Sequence, residues 1–176
     1  MSNIFVGHPM SDILHKIWKE RIVDLVCFAL MPNHFHLLVR EKEEGGISRY
    51  MQRVLNGYTK YWNTKYQQSG HLFQGPFRAV HVEDDHQLRY LSAYIHRNPH
   101  EIGEWHDRAW EYPWSSYRDY VGDNRWGELL QYDIVRGQYT GGEDYRDFVE
   151  TSGAKDDTDV DEVLLIDHKP EGEDYD

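Results

Sequence analysis

Two short segments of this chain carry residue types that bind metal ions or attack phosphorus. His34 and His36 are two positions apart in "ALMPNHFHLLVR" (residues 29–40), and Tyr94 and Asn98 are four positions apart in "LRYLSAYIHRNPHEIG" (residues 88–103). If the first segment is a strand, period-two alternation places both imidazoles on one face. If the second segment is a helix, a step of four stacks the phenol beside the amide.

These side chains together could support chemistry on a phosphodiester. Neutral imidazoles bind Mn²⁺ and similar ions, and an Asn carbonyl can complete an open, three-ligand site. A metal bound there would act as a Lewis acid on a phosphate oxygen. Tyr94 could then attack phosphorus, with the metal or Arg97 favouring the phenolate. This exchange of phosphoesters leaves a 5′-phosphotyrosine and a free 3′-OH, so the break can be resealed or transferred without ATP.

Each of these residues also has an ordinary structural explanation. With 11 histidines in 176 residues, about 0.7 His-x-His pairs are expected by chance, so His34 and His36 could be half-buried strand residues. Tyr94 is one of 13 tyrosines and could fill the core. Asn98 precedes Pro99 and could simply end a helix.

Hydrophobic patterning predicts the elements that would position these residues. "RIVDLVCFAL" and "HFHLLVR" predict two antiparallel strands separated by "MPNH". "ISRYMQRVLNGYTKYWNTKY" predicts a helix over 47–66, and "RAVHVE" predicts a short strand. A second helix, capped by Asp84 or Asp85, should run to Asn98 with Leu88, Leu91 and Ile95 in the core. If that helix packs on the histidine face of the sheet, the phenol, the amide and both imidazoles meet.

The net charge of -12 is unevenly distributed. Residues 126–176 contain 4 basic and 16 acidic side chains, whereas the earlier residues are balanced. Basic side chains outnumber acidic ones by seven to three over residues 49–97, where Tyr, Trp and Phe are interleaved. That composition suits single-stranded nucleic acid, but a mixed surface over an aromatic core explains it equally well. We expect four of these rings mainly in the core: Tyr58, Tyr61, Trp62 and Phe73.

Composition also bounds the compartment and the domain organisation. Cys27 is the single cysteine, which suits a reducing compartment, and the chain shows neither a leader pattern nor an apolar run of the ~20 residues that a membrane span needs. We therefore expect a cytoplasmic protein with no membrane partner. The charge shift predicts a domain over 1–125 and an acidic C-terminal extension over 126–176. Within the extension, "VDEVLLID" (160–167) is strand-like and could pair with a sheet edge.

Five segments, in order, resemble a known family. They are "LMPNHFHLLV", "EGGISRYMQRVLNGYTKYWNTKY", "SGHLFQGPFRAVHVEDD", "LRYLSAYIHRNPHEIG" and "YPWSSYRDYVG". Over residues 22–122 the chain resembles the HUH single-tyrosine transposases, specifically the REP-associated tyrosine transposase branch. The resemblance implies an α+β fold with a small ferredoxin-like antiparallel sheet, helices packed on one side and the histidines on a central strand. Nothing before residue 22 resembles the strand that opens these relatives, so we expect that strand to be missing.

The resemblance also implies a function. It implies a transposase-like DNA endonuclease and strand transferase that cuts single-stranded, hairpin-bearing DNA through a 5′-phosphotyrosine, with Mg²⁺ or Mn²⁺ as cofactor. The family's metal ligands fall on His34, His36 and Asn98, and its nucleophile falls on Tyr94. Expected DNA contacts are Arg49, Arg53, Lys60, Lys65, Arg78 and Arg97. The branch implies a monomer.

Two other functions fit the same residues. One is a catalytically inactive protein, derived from a transposase, that binds single-stranded or hairpin DNA. The other is a metalloenzyme that hydrolyses its substrate with activated water, which is less favoured because no carboxylate accompanies the histidines in the sequence.

Overall fold

The computed structural model describes residues 18–154, which form an α+β fold. Strands β1 (Val23–Leu30) and β2 (Phe35–Glu41) form a two-stranded antiparallel sheet, with helices packed against it. Helix α1 spans Gly46–Tyr66 and helix α2 spans Asp85–Arg97. These elements confirm the predicted α+β class, the antiparallel strand pair and both predicted helices.

Strand β1 lies at the centre of the hydrophobic core. It is rich in apolar residues, and Val26, Cys27 and Ala29 are almost completely buried. The pairing with β2 runs from Val23 opposite Glu41 to Leu30 opposite Phe35, with a register shift between Leu25 and Cys27. Burial raises the pKa of the Cys27 thiol, so this cysteine is a buried apolar residue, as its surroundings predicted.

Later parts of the chain cover the other edge of β1. The backbone N–H of Leu30 donates to the carbonyl of Trp114 (2.8 Å), and the N–H of Ser116 donates to that of Phe28 (3.0 Å). At the far end, the N–H of Gln131 donates to the carbonyl of Leu25 (2.8 Å). These bonds satisfy backbone groups that an exposed strand edge would leave open to other chains.

Helix α2 has the predicted cap and the predicted buried face. The side chain of Asp84 accepts a hydrogen bond from the backbone N–H of Gln87 (2.7 Å), which satisfies one of the free donors of the first turn. Leu88, Leu91 and Ile95 are all buried. The helix is therefore fixed on the sheet by the apolar stripe that its sequence shows.

Two local predictions are wrong. Residues 78–83 form no regular strand, because no other strand pairs with them in the described part of the chain. Helix α1 does not bury the whole apolar face that its sequence suggests: only Gly46 and Met51 are buried along it. Several of its large side chains are exposed instead, namely Val54, Tyr58, Tyr61 and Tyr66.

The acidic composition after residue 125 does not produce a solvated tail throughout. Helices α3 (Tyr117–Val121), α4 (Asp133–Arg136) and α5 (Gly142–Thr151) follow α2, with short 3₁₀ turns at Asn98–Glu101, Gly103–Trp105, Ala109–Glu111 and Gly127–Leu129. Side chains from both sides of the predicted boundary share one hydrophobic core, those after it being Leu130, Val135, Tyr145, Val149 and Ala154.

Helix α5 shows why charge is a poor guide to burial here. Tyr145 and Val149 are four residues apart and buried, whereas Glu143, Asp144 and Asp147 face solvent. An amphipathic helix keeps its acidic charge outside and its apolar stripe inside. The strand predicted over 160–167 lies outside the described residues. Within 18–154, no helix is long and apolar enough to cross a membrane.

Candidate active site

Strand β2 and helix α2 bring three of the four predicted site residues together. The ring centroids of His34 and His36 are 4.9 Å apart, with the ring planes at 85°. The centroids of His36 and Tyr94 are 5.5 Å apart, with the planes at 90°. His34 is exposed, and His36 and Tyr94 are half-buried, so a substrate can reach all three rings.

The strand pairing positions the histidines. His36 lies opposite Ala29 in the sheet, and a tight turn that ends with a bond from the N–H of Met31 to the carbonyl of His34 (2.9 Å) joins the two strands. Phe35 points to the other face of the strand, where its ring lies 6.1 Å from that of Phe73. Alternation along β2 thus separates the imidazoles from the aromatic ring between them.

The side chain of Asn33 orients the first histidine. Its Oδ1 lies 2.8 Å from Nδ1 of His34. An amide oxygen only accepts, so in a neutral imidazole this bond places the proton on Nδ1 and leaves the lone pair of Nε2 for a metal ion. Sequence reasoning missed Asn33, although its position directly before His34 was visible.

Asn98 lies one turn after Tyr94, at the end of α2. Its side chain is 1% exposed, and its Nδ2 donates to the backbone carbonyl of Tyr94 (2.8 Å). This bond ties the amide to the backbone of the tyrosine itself. With the nitrogen engaged, the amide oxygen is the atom that can act as a ligand.

The donor chemistry of these residues suits a divalent ion. Two imidazole nitrogens and one amide oxygen fit a borderline ion such as Mn²⁺ better than the harder Mg²⁺. Within residues 18–154 there is no group of three or more His, Cys, Asp or Glu side chains that could hold a metal. A metal site at this position would therefore need ligands of other types beside the two histidines, and Asn98 is the predicted third protein ligand.

A buried hydrogen-bond network anchors the tyrosine helix to later parts of the chain. His96 is completely buried; its Nδ1 lies 2.6 Å from the hydroxyl of Tyr145, and its Nε2 lies 2.8 Å from that of Ser116. Its ring stacks on Tyr117 with centroids 5.1 Å apart. Burial lowers the pKa of His96 to about 3, so the imidazole is neutral and bonded on both nitrogens.

Arg97 and Glu150 form a second contact between helices α2 and α5. Nη1 of Arg97 donates to the carbonyls of Val149 (3.1 Å) and Glu150 (3.0 Å) in the last turn of α5. The carboxylate of Glu150 accepts from the hydroxyl of Tyr117 (2.8 Å) and lies 3.3 Å from Nε2 of His100. This contact between Glu150 and His100 lowers the pKa of the carboxyl group and raises that of the imidazole. Arg97, predicted as a DNA contact, thus also has a structural role.

The other predicted DNA-binding residues are exposed. Four of them lie along α1, and Arg78 lies in the irregular segment between the two long helices. Arg49 pairs with Glu43, and Nζ of Lys65 lies 5.4 Å from the ring centroids of both Tyr61 and Tyr66. The structure does not test contact with DNA, so these residues remain predictions.

Comparison with known proteins identifies the family. The family model described as "Transposase IS200 like" matches residues 3–98, a range that contains both histidines, Tyr94 and Asn98. The match starts at residue 3, so the expectation that nothing before residue 22 resembles the family is wrong; residues 3–17 lie outside the described structure. No curated protein and no solved structure matches the chain. Because the family model covers more than half of its length, the chain belongs to the IS200-like transposase family.

Proposed function

We propose that this transposase-like protein is a metal-dependent nuclease and strand transferase that cuts single-stranded, hairpin-bearing DNA through a phosphotyrosine at Tyr94. The observation that carries the proposal is the meeting of His34, His36 and Tyr94, from two separate elements, at an accessible surface. Tyr94 is only half-buried and its ring contacts that of His36, which in turn contacts that of His34, an arrangement that core filling alone does not require.

The covalent step exchanges one phosphoester for another. The hydroxyl oxygen of Tyr94 attacks phosphorus and loses its proton, while the bond between phosphorus and the 3′ oxygen breaks. The electron pair leaves with the 3′ oxygen, which takes up a proton to become a 3′-OH. Attack of a 3′-OH on the phosphotyrosine reverses the step and restores the phenol, so strands can be joined without another energy source.

The chain's own residues would bind the cofactor and hold the nucleophile. His34, His36 and Asn98 would bind a divalent ion, Mg²⁺ or Mn²⁺, which when present polarises the phosphodiester and offsets developing charge. The bond from Asn98 to the carbonyl of Tyr94 fixes the backbone of the nucleophile. The contacts of His96 and Arg97 with α5 hold the helix that carries it. Because these contacts lie within one chain, we propose that the protein acts as a monomer.

The test is a denaturing gel with hairpin DNA that carries single-stranded flanks and a label on either its 5′ or its 3′ end. The wild-type protein with Mn²⁺ should give a slowly migrating adduct that carries the 3′ label, and EDTA or Tyr94→Phe should abolish it. Tyr90→Phe is the matched control, because Tyr90 is also half-buried on α2, one turn earlier, and should leave the adduct unchanged.

Other outcomes would refute the proposal in distinct ways. Retardation of the DNA on a native gel without an adduct would favour the inactive binding protein. Cleavage to a free 5′-phosphate that persists in Tyr94→Phe would favour hydrolysis by activated water.

A further inference from the structure

The C-terminal half of helix α1 exposes a row of aromatic rings. Tyr58, Tyr61 and Tyr66 are 47%, 55% and 47% exposed. The ring of Trp62 lies 4.3 Å from that of Tyr66 and 6.2 Å from that of Tyr58, centroid to centroid. We call these four residues the ring face. A contiguous exposed aromatic surface usually marks a binding site. Aromatic side chains of this kind can stack on successive bases of single-stranded nucleic acid, whatever the base sequence.

The charge of the same helix favours a nucleic acid as the occupant. Residues Gly46–Tyr66 include four basic side chains and no acidic one, in a chain with a net charge of -12. Lys65 lies within the ring face, close to the rings on either side of it. At 100° per residue, Arg49, Arg53 and Lys60 lie on the opposite side of the helix, about one Debye length away. Arg49 is paired with Glu43, and the fields of Arg53 and Lys60 are partly screened at that distance, so Lys65 is the cation that can meet a phosphate at the ring face.

A chain of ring contacts links this surface to the face of β2 opposite the imidazoles. Phe35, between the two histidines, lies 6.1 Å from Phe73, and Phe73 lies 6.2 Å from Tyr58. The ring face itself extends from residue 58 to residue 66, roughly 12 Å along the helix axis. That length accommodates on the order of three nucleotides at the spacing of a stacked strand. To continue from the histidines onto α1, a DNA strand must cross from the imidazole face of β2 to the face that carries Phe35.

We infer that the ring face is a platform on which the unpaired nucleotides flanking the cleavage point stack, with the Lys65 ammonium on a phosphate. This inference rests on the proposed action on single-stranded DNA and names the surface that binds the strand. The paired stem of a hairpin would not use this surface, because its base faces are already stacked on one another. The platform thus distinguishes the single-stranded flank from the stem.

The experiment measures the affinity of the full-length protein by fluorescence anisotropy for two labelled DNAs, the same hairpin with and without a single-stranded flank. Tyr61→Ala should raise the Kd for the flanked hairpin about 5- to 150-fold and should leave the Kd for the blunt hairpin within twofold. Tyr61→Phe is the matched control, because it keeps the ring and should bind like the wild type. Lys65→Ala should instead reduce the steepness of the plot of log association constant against log salt concentration by about 1, the contribution of one phosphate contact.

The inference is overturned if Tyr61→Ala and Tyr58→Ala bind the flanked hairpin within twofold of the wild type. It is also overturned if both DNAs lose affinity equally, since the loss would then not come from the unpaired bases of the flank. Adduct formation, measured on the same samples at saturating DNA, separates this inference from the proposed function. If the wild type forms the adduct but Tyr61→Ala does not change the affinity for the flanked hairpin, only the stacking platform is refuted. If Tyr61→Ala weakens binding but the wild type forms no adduct, only the proposed nuclease activity is refuted.

Discussion

The hydroxyl of Tyr145 is the atom whose removal should most directly loosen the tyrosine helix. It is completely buried, lies 2.6 Å from Nδ1 of His96 and donates to Oγ of Ser92 at 3.2 Å. Tyr145→Phe keeps the ring but leaves a buried imidazole nitrogen without a partner, which costs about 1–3 kcal/mol. We expect the free energy of unfolding, measured by urea denaturation, to fall by about 2 kcal/mol, equivalent to a decrease in Tm of roughly 4–8 °C.

Tyr139 provides a matched control in the same part of the core. Its ring centroid lies 5.0 Å from that of Tyr145, but its buried hydroxyl has no hydrogen-bond partner among residues 18–154. Tyr139→Phe removes an unpaired polar atom, so stability should stay the same or rise by up to about 1 kcal/mol. If both variants lost the same stability, the loss would come from ring packing and the argument for a hydrogen-bonded anchor would be refuted. If the anchor also positions the nucleophile, Tyr145→Phe should form the DNA adduct more slowly at saturating DNA.

Three further predictions concern packing, pH and metal binding. A Cβ at Gly142 would lie 2.0 Å from the carbonyl oxygen of Val121, whereas one at Gly141 meets nothing within 4 Å. Gly142→Ala should therefore lower the free energy of unfolding, measured by urea denaturation, by about 1–3 kcal/mol. An equal effect of Gly141→Ala would contradict the clash. His96 has a pKa of about 3 when folded, against an ordinary value of 6.5, so below pH 6.5 the unfolded chain binds more protons and stability falls. The difference in free energy of unfolding between the wild type and His96→Gln, measured by urea denaturation, should accordingly shrink by up to about 1.4 kcal/mol for each pH unit between pH 6.5 and 4. A difference that did not change with pH would show that His96 is not held neutral. Asn33→Ala should weaken Mn²⁺ binding about 10-fold or more, measured by electron paramagnetic resonance of the free ion. Asn33→Asp retains the acceptor and should bind Mn²⁺ at least as well as the wild type. Unchanged affinity in the alanine variant would show that Asn33 does not orient His34.

Local sequence patterns were sufficient for the elements that carry the chemistry. The alternation in residues 29–40 predicts which face of β2 carries His34 and His36, and the spacing of apolar residues after Asp84 predicts the buried face of α2. Both signals depend on neighbours within a few residues, where backbone geometry alone determines which side chains share a face. The spacing of four between Tyr94 and Asn98 is of the same kind, and the structure confirms that these two residues contact each other.

Contacts between distant residues were decided only by the tertiary structure. His96 and Arg97 have partners on α5 that lie 49 to 53 residues later, in a segment whose acidic composition suggested a solvated extension. Composition averages over both faces of a helix, so it does not reveal the buried stripe formed by Tyr145 and Val149. Tyr58 and Tyr61 show the opposite case, an apolar face that stays exposed. Periodicity defines such a face but does not reveal whether another element packs on it. The sequence by itself therefore determined the strand pair and the two long helices, because neighbours within a few residues specify them. The three-dimensional packing decided which candidate site residues are anchored and which rings are exposed, because those properties depend on elements distant in the chain.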